Sequence, residues 1–348
     1  MQAAEKISST AISPDPGLTA HGRRVVSFYE QSLTGRLRPR SATPAALHLG
    51  FWDERIRNHA EALTNMNRAL AKRTDLRPTD RVLDAGCGLG HSAIWLAREF
   101  GVEVVGVNLA RGQIREARCI AHRQGVSDRV AFERRDFART GFPDESFDVV
   151  WAMESICHAQ DKQDFLDEAR RLLGPGGRLV VADLFRSGHP FGLSEERLLG
   201  SWLSGWAVPD LATAEEFGES ARRAGFTDVR IKDITANIWP SSRRLRLRAL
   251  AGYPAAALLR MLQLYGDDRL ASVRSGLEQY RALRRGLWFY GVFTAVKEPA
   301  GKPEIPLQAL WSRTDLLDAE SIAHLEDLPD PVTATTGKEV IATDTEPA

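Results

Sequence analysis

The chain has 348 residues, with 46 basic and 46 acidic side chains and a formal net charge of zero, a balance that leaves no electrostatic footprint for nucleic acid. That length suffices for one large domain or a domain with an appended cap. Its three cysteines, Cys87, Cys119 and Cys157, have no disulfide or zinc spacing, so no metal centre is expected and a reducing cytoplasmic setting is the simple reading.

The N-terminus lacks an apolar leader core, and no run approaches the roughly 20 apolar residues that span a bilayer. A soluble protein is expected, with peripheral membrane contact left open. Residues 1–20, rich in Ser, Ala, Pro and Gly, read as a disordered tail, and the apolar spacing of Val25, Val26, Phe28, Tyr29 and Leu33 predicts a short helix over 22–33. A basic, Pro-containing loop at 36–44 leads into the apolar patch at 47–52, where Phe51 and Trp52 read either as a plug in the side of the domain or as part of a lid. Helical spacing returns over 56–73 (Ile56, Ala60, Leu63, Met66, Leu70), and a Pro-Thr-Asp turn feeds the first strand.

From there strands and helices alternate: a first strand opening with Val82 and Leu83 and ending at Asp84, strands at 102–107, 130–133, 147–152 and 178–182, helices at 91–100, 112–124 and 162–173, and an emphatic Gly-Pro-Gly-Gly turn at 174–177. The βαβ alternation predicts a doubly wound, mostly parallel sheet with its ligand at the C-terminal ends of the strands. The first strand ends in Asp84, and Gly86, Cys87, Gly88 and Gly90 follow in a tight turn that opens the next helix. Glycines there allow positive φ and a close approach of ligand to backbone. A dinucleotide pyrophosphate would want no carboxylate beside it, which counts against an oxidoreductase; a cationic ligand with a free amino group would suit Asp84. At the second strand's end Asn108 stands where a ribose site would offer an acid, with Gln113 as a second polar contact. Asp136 and Phe137 end the third strand and suit the amine and the face of an adenine.

The run Val-Leu-Asp-Ala-Gly-Cys-Gly-Leu-Gly at 82–90 resembles the first motif of class I S-adenosylmethionine-dependent methyltransferases. Taken over residues 45–298, the chain looks like the tocopherol- and sterol-type natural-product members, with a similar His-x-Gly-aromatic-Trp segment at 48–52. The resemblance implies a seven-stranded Rossmann-like sheet with an α-helical cap over residues 21–298, with cap insertions near 186–212 and 239–286. It also implies S-adenosylmethionine as cofactor and a bulky, hydrophobic small-molecule acceptor. Ala110 departs from the serine frequent in that group.

Methyl transfer from a sulfonium needs a nucleophile held in line in a dry pocket, and two readings of its origin compete. In one, the acceptor is a prenyl or terpenoid carbon, and Glu154, in a Met-Glu-Ser-x-Cys-His-Ala stretch similar to sterol and prenyl C-methyltransferases, steadies the carbocation. In the other, a hydroxyl or phenol is methylated, His158 is the general base and Asp183 orients its ring. The expectation leans to carbon, with oxygen close behind; a non-catalytic cofactor-binding protein is the reading from another class. Trp202, Trp206 and Trp239 join Phe51 and Trp52 as the expected substrate pocket. Four arginines, Arg243, Arg244, Arg246 and Arg248, read as solvated or paired, with phosphate or an anionic lipid surface as the sharper reading. A helix at 213–224, strands at 229–234 and 288–296 and a long helical insertion at 241–285 complete the fold, and residues 299–348 read as a mostly disordered acidic tail.

Overall fold

The computed structural model describes residues 18–34, 48–298 and the short strand 339–340. Expectations for residues 1–17, for the basic loop and for the rest of the tail lie outside the described residues.

Seven strands form one sheet: β1 (Arg81–Ala85), β2 (Glu103–Val107), β3 (Val130–Glu133), β4 (Phe147–Met153), β5 (Leu173–Arg186), β6 (Phe226–Asp233) and β7 (Trp288–Lys297), in the order β3-β2-β1-β4-β5-β7-β6. The pairings from β3 across to β5 are parallel, while β7 runs antiparallel to both β5 and β6. A two-residue strand, β8 (Glu339–Val340), lies antiparallel beside β6 at the sheet edge. The helices are α1 (Ala20–Thr34), α2 (His59–Ala71), α3 (His91–Phe100), α4 (Arg111–Arg123), α5 (Lys162–Leu172), α6 (Leu193–Gly205), α7 (Ala214–Arg223), α8 (Thr235–Met261) and α9 (Asp267–Arg284).

Side chains alternate across a strand, so the apolar runs of the central strands feed two cores. Val82, Val149, Trp151 and Val180 pack with Met66 and Leu70 of α2, Ile94 of α3 and Ile114 of α4. Leu83, Val150, Leu179 and Val181 pack with Phe165 and Leu166 of α5 and Phe217 of α7. Each such side chain, fully buried, contributes about 1.5–3 kcal/mol.

The Gly-Pro-Gly-Gly turn sits inside β5 as an irregularity. Leu173 still pairs with Phe147, and the register jumps so that Arg178 pairs with Val149. A glycine is required at 177, where a Cβ would come within 2.7 Å of the Gly174 carbonyl oxygen. The long insertion divides into α8 and α9, joined by a short turn, with Pro240 and Pro254 inside α8. Helices α6 and α8 both pack on α9 to form the cap. Trp202, fully buried, meets Trp206 at 5.8 Å and Trp288 at 5.2 Å between ring centroids, joining α6 to β7.

Candidate active site

The C-terminal ends of β1, β2, β4 and β5 converge on a cavity of about 520 Å³. Asp84 ends β1 with 2% of its surface exposed, and its Oδ2 has no hydrogen-bond partner among the described residues. Burial pushes its carboxyl up to about 7 against the opposing pull of the Ala93 N–H. A buried acceptor left open in this way costs free energy unless a donor arrives, and a cationic amino group is the donor that recovers it.

Two glycines of the following turn do different work. Gly86 has φ +87°, and a Cβ on it would stand 2.3 Å from Cβ of Ser155, whose hydroxyl donates to the Ala85 carbonyl at 2.6 Å. Gly88 has φ +53°, and a Cβ there would meet nothing within 4 Å. The first glycine is therefore forced by the protein's own packing; the second leaves open room on the cavity wall. Asn108 donates to the Gln113 side-chain oxygen at 2.6 Å, both line the cavity, and the buried Nε2 of Gln113 is unpartnered. Cys87 and Phe137 also line it, Phe137 standing edge-on to Phe165. Asp136 departs from the sequence expectation. It is exposed, its Oδ1 accepts from the Ala138 N–H at 2.9 Å, and it does not line the cavity.

Glu154 follows β4 with φ +47°, an uncommon conformation for a residue with a side chain. Its backbone N–H donates to the Ala182 carbonyl, and its Oε1 accepts from the Leu49 N–H at 2.7 Å and the Tyr290 hydroxyl at 2.9 Å. Burial, aided by the Asp183 charge, pushes the carboxyl up to about 8. Glu154 thus ties residues 48–52 to the sheet. The other end of that segment is held by Ser241 of α8, whose hydroxyl accepts from the Gly50 N–H and from Trp52 Nε1 at 2.8 Å. Gly50 permits the approach, since a Cβ would fall 2.6 Å from that of Ala62.

His158 lies in a short 3-10 turn, Ile156–His158. Its Nδ1 faces the Ala207 carbonyl at 3.1 Å, an oxygen that only accepts, so Nδ1 carries the proton and Nε2 presents a lone pair to the Tyr29 hydroxyl at 2.8 Å. Burial lowers the imidazole to about 4, which keeps it neutral at ordinary pH. Asp183 does not orient this ring, contrary to the sequence expectation. Its Oδ2 accepts from the Ile156 and Cys157 N–H groups at 2.8 and 3.0 Å and its Oδ1 from Leu184, so it anchors the turn that carries His158.

Of the five aromatics expected in the pocket, Trp206 alone lines the cavity. Trp202 is buried against Trp206 and Trp288; Phe51 packs on the core beside α2; Trp52 turns its indole to Ser241; and Trp239 packs on Tyr280 at 5.6 Å. The lining also includes Tyr29, Leu245 and Ala249, which carried no sequence signal for the pocket, together with Arg244 and Arg248 of the arginine cluster. Tyr290 was legible as a strand residue only, because its bond to Glu154 crosses 136 positions.

A wound sheet of this order, with a glycine turn and an unpartnered acid at the end of β1, suits a nucleotide-like ligand that carries a cationic group. Comparison with known proteins agrees. The family model described as a methyltransferase domain matches residues 83–181. The chain is 36% identical over 199 residues to 27-O-demethylrifamycin SV methyltransferase of Amycolatopsis mediterranei (strain S699), covering 56% of this chain and 71% of that protein. Methyltransferase GfsG of Streptomyces halstedii is 38% identical over 167 residues, covering 47% and 59%. Among solved structures, the [4+2]-cyclase SpnF superposes with a TM-score of 0.65 at 25% identity, covering 80% of this chain and 95% of that one.

The chain belongs to the class I S-adenosylmethionine-dependent methyltransferases. The residues present fit that cofactor: the open Oδ2 of Asp84 suits its amino group, Gly88 leaves backbone accessible, and Asn108 with Gln113 offers polar partners to a ribose. No helix among the described residues is long and apolar enough to cross a membrane.

Proposed function

We propose that this methyltransferase modifies a hydroxyl of a bulky, largely apolar small molecule of secondary metabolism, with His158 as general base. Cofactor binding is the part for which Asp84, Gly88, Asn108, Gln113 and Phe137 are the candidate residues, and bound S-adenosylmethionine supplies an electrophilic methyl group. The observation that carries the proposal is the state of His158. The ring is neutral, its Nδ1–H is fixed on Ala207, and its Nε2 lone pair is aimed at a hydroxyl, that of Tyr29. An acceptor hydroxyl that takes the place of Tyr29 gives its proton to Nε2 as the oxygen becomes nucleophilic. Apolar wall residues, among them Val25, Phe28, Leu245 and Ala249, exclude water from that transfer. The name of the Amycolatopsis relative refers to an O-demethylated compound, which supports oxygen as the acceptor atom.

Carbon methylation is the second reading, because Glu154 lines the same cavity. A carboxyl pushed up to about 8 is mostly uncharged at neutral pH and already accepts two hydrogen bonds, so it offers little negative charge to a carbocation. We therefore assign Glu154 to positioning of the 48–52 segment. The experiment is His158→Ala with the labelled acceptor: loss of turnover with intact binding of S-adenosylhomocysteine supports the base, and full turnover removes it.

A further inference from the structure

The helix α8 contains five arginines and no acid within a chain of zero net charge. Three of the five have an evident structural use or do not reach the cavity: Arg246 lies over the Tyr280 ring at 5.0 Å, Arg260 pairs with Asp267, and Arg243, exposed like Arg244 and Arg248, does not line it. Arg244 and Arg248 differ. They stand four residues apart on one face, both line the cavity, and neither has an acidic partner among the described residues. Burial, followed by the Arg244 charge, lowers Arg248; burial, followed by both arginine charges, lowers His59, which also lines the cavity and whose buried Nδ1 has no hydrogen-bond partner. The other titratable groups on the lining do not neutralise them. Asp84 and Glu154, the carboxyls of the cavity, belong to the sheet side and are both held toward the neutral form by burial.

Two like charges without an acidic partner and an open imidazole nitrogen thus line one rim of the cavity. A ligand oxyanion would be attracted by both charges, and guanidinium forks match the paired oxygens of a carboxylate or phosphate. Beside them Leu245 and Ala249 of the same helix, with Val25 and Phe28 of α1, offer apolar contact. We propose that the acceptor is an amphipathic molecule whose anionic group, a carboxylate or a phosphate, is bound at the cavity rim by Arg244 and Arg248 with His59, while its apolar body reaches toward His158. The proposal rests on the reading of the cavity as the acceptor site, and its test needs no turnover.

Protein loaded with S-adenosylhomocysteine is titrated calorimetrically with decanoate, decyl phosphate and decanol, for the wild type, Arg244→Gln, Arg248→Gln, the double variant, and Arg243→Gln as a control for bulk charge. The expected result is that at least one anion binds about tenfold or more tightly than decanol, the factor one hydrogen bond to a charged group carries. That preference falls in each single variant, vanishes in the double variant and survives in Arg243→Gln, with S-adenosylhomocysteine affinity unchanged throughout. Which of the two anions is preferred separates carboxylate from phosphate. Equal binding of decanol and both anions overturns the proposal, as does a preference that survives in the double variant. A parallel loss of S-adenosylhomocysteine affinity also overturns it, by giving the arginines to the cofactor's own carboxylate. Methylation at carbon, by contrast, would refute the oxygen reading and leave these titrations unaffected.

Discussion

The hydroxyl of Tyr29 on α1 donates to Nε2 of His158 at 2.8 Å, closing the cavity over the one ring nitrogen that carries a lone pair. A second tie from the same helix, His21 Nε2 to the His158 carbonyl at 2.8 Å, holds α1 to the same turn. Entry of an acceptor hydroxyl to Nε2 thus requires Tyr29 to yield, which couples the N-terminal helix to the base.

His158→Ala should lower kcat by about 100-fold or more, the scale of general-base loss, with S-adenosylhomocysteine affinity within about twofold of wild type. For the wild type at saturating cofactor, the rate should show no break near the ordinary imidazole value of about 6.5, because the ring loses its proton at about 4 and is already a free base above that. A steady-state pH profile checks both statements.

Cofactor affinity should rise with pH through about 7. The carboxyl of Asp84 is neutral below that value and ionised above it, and the ionised form is the one that attracts an ammonium group. Below pH 7 the gain approaches about tenfold per pH unit. Asp84→Asn should bind S-adenosylhomocysteine weakly and without this dependence. In the ligand-free protein the sign for stability is reversed: the folded state keeps a proton that the unfolded chain gives up above about 4, so this group lowers stability as pH rises from there to about 7. Calorimetry across pH, with and without ligand, reads both effects.

Gly86→Ala and Gly88→Ala should fail differently. The first drives a Cβ into Ser155 at φ +87° and should cost roughly 2–4 kcal/mol, a fall in Tm of several degrees. The second adds a Cβ in open space at φ +53°, costing about 1 kcal/mol for the backbone, and should weaken S-adenosylhomocysteine by more than about tenfold. Thermal melts and ligand titration on the same samples separate the two.

Glu154→Gln keeps an Oε1 that accepts from Leu49 and Tyr290 and should melt near wild type. Glu154→Ala strands both donors and should cost about 1–3 kcal/mol. Equal melting of the two variants would remove Glu154 as the tie for the 48–52 segment.

Much of this architecture was legible in the sequence because its signals are local. The apolar strands, the acid and glycines after β1, and Asn108 with Gln113 after β2 lie where backbone periodicity and turn chemistry place them, and the structure brings Asp84, Gly88, Asn108, Gln113, Phe137, Glu154 and His158 to one cavity. What was not legible depends on direction. Trp52, Trp202 and Trp239 are marked for burial by composition, but Ser241, Trp288 and Tyr280, far away in sequence, decide which way each ring turns. An acid near a histidine suggests a catalytic couple; three backbone N–H groups, invisible as residue types, claim Asp183 first. The same holds for Asp136, which closes its own loop through the Ala138 N–H. Arginine spacing on α8 was plain in the sequence, whereas the face it turns to the cavity was fixed only by packing of α8 on α9.

The most direct test of His158 as base for oxygen methylation is to incubate the purified protein with methyl-labelled S-adenosylmethionine and an extract of its native host, and to locate the label by mass spectrometry and NMR, for wild type and His158→Ala side by side. A label in a methoxy group with the wild type, and its loss in a variant that still binds S-adenosylhomocysteine, is the predicted result. A label on carbon, or a methoxy product formed equally well by His158→Ala, would contradict it.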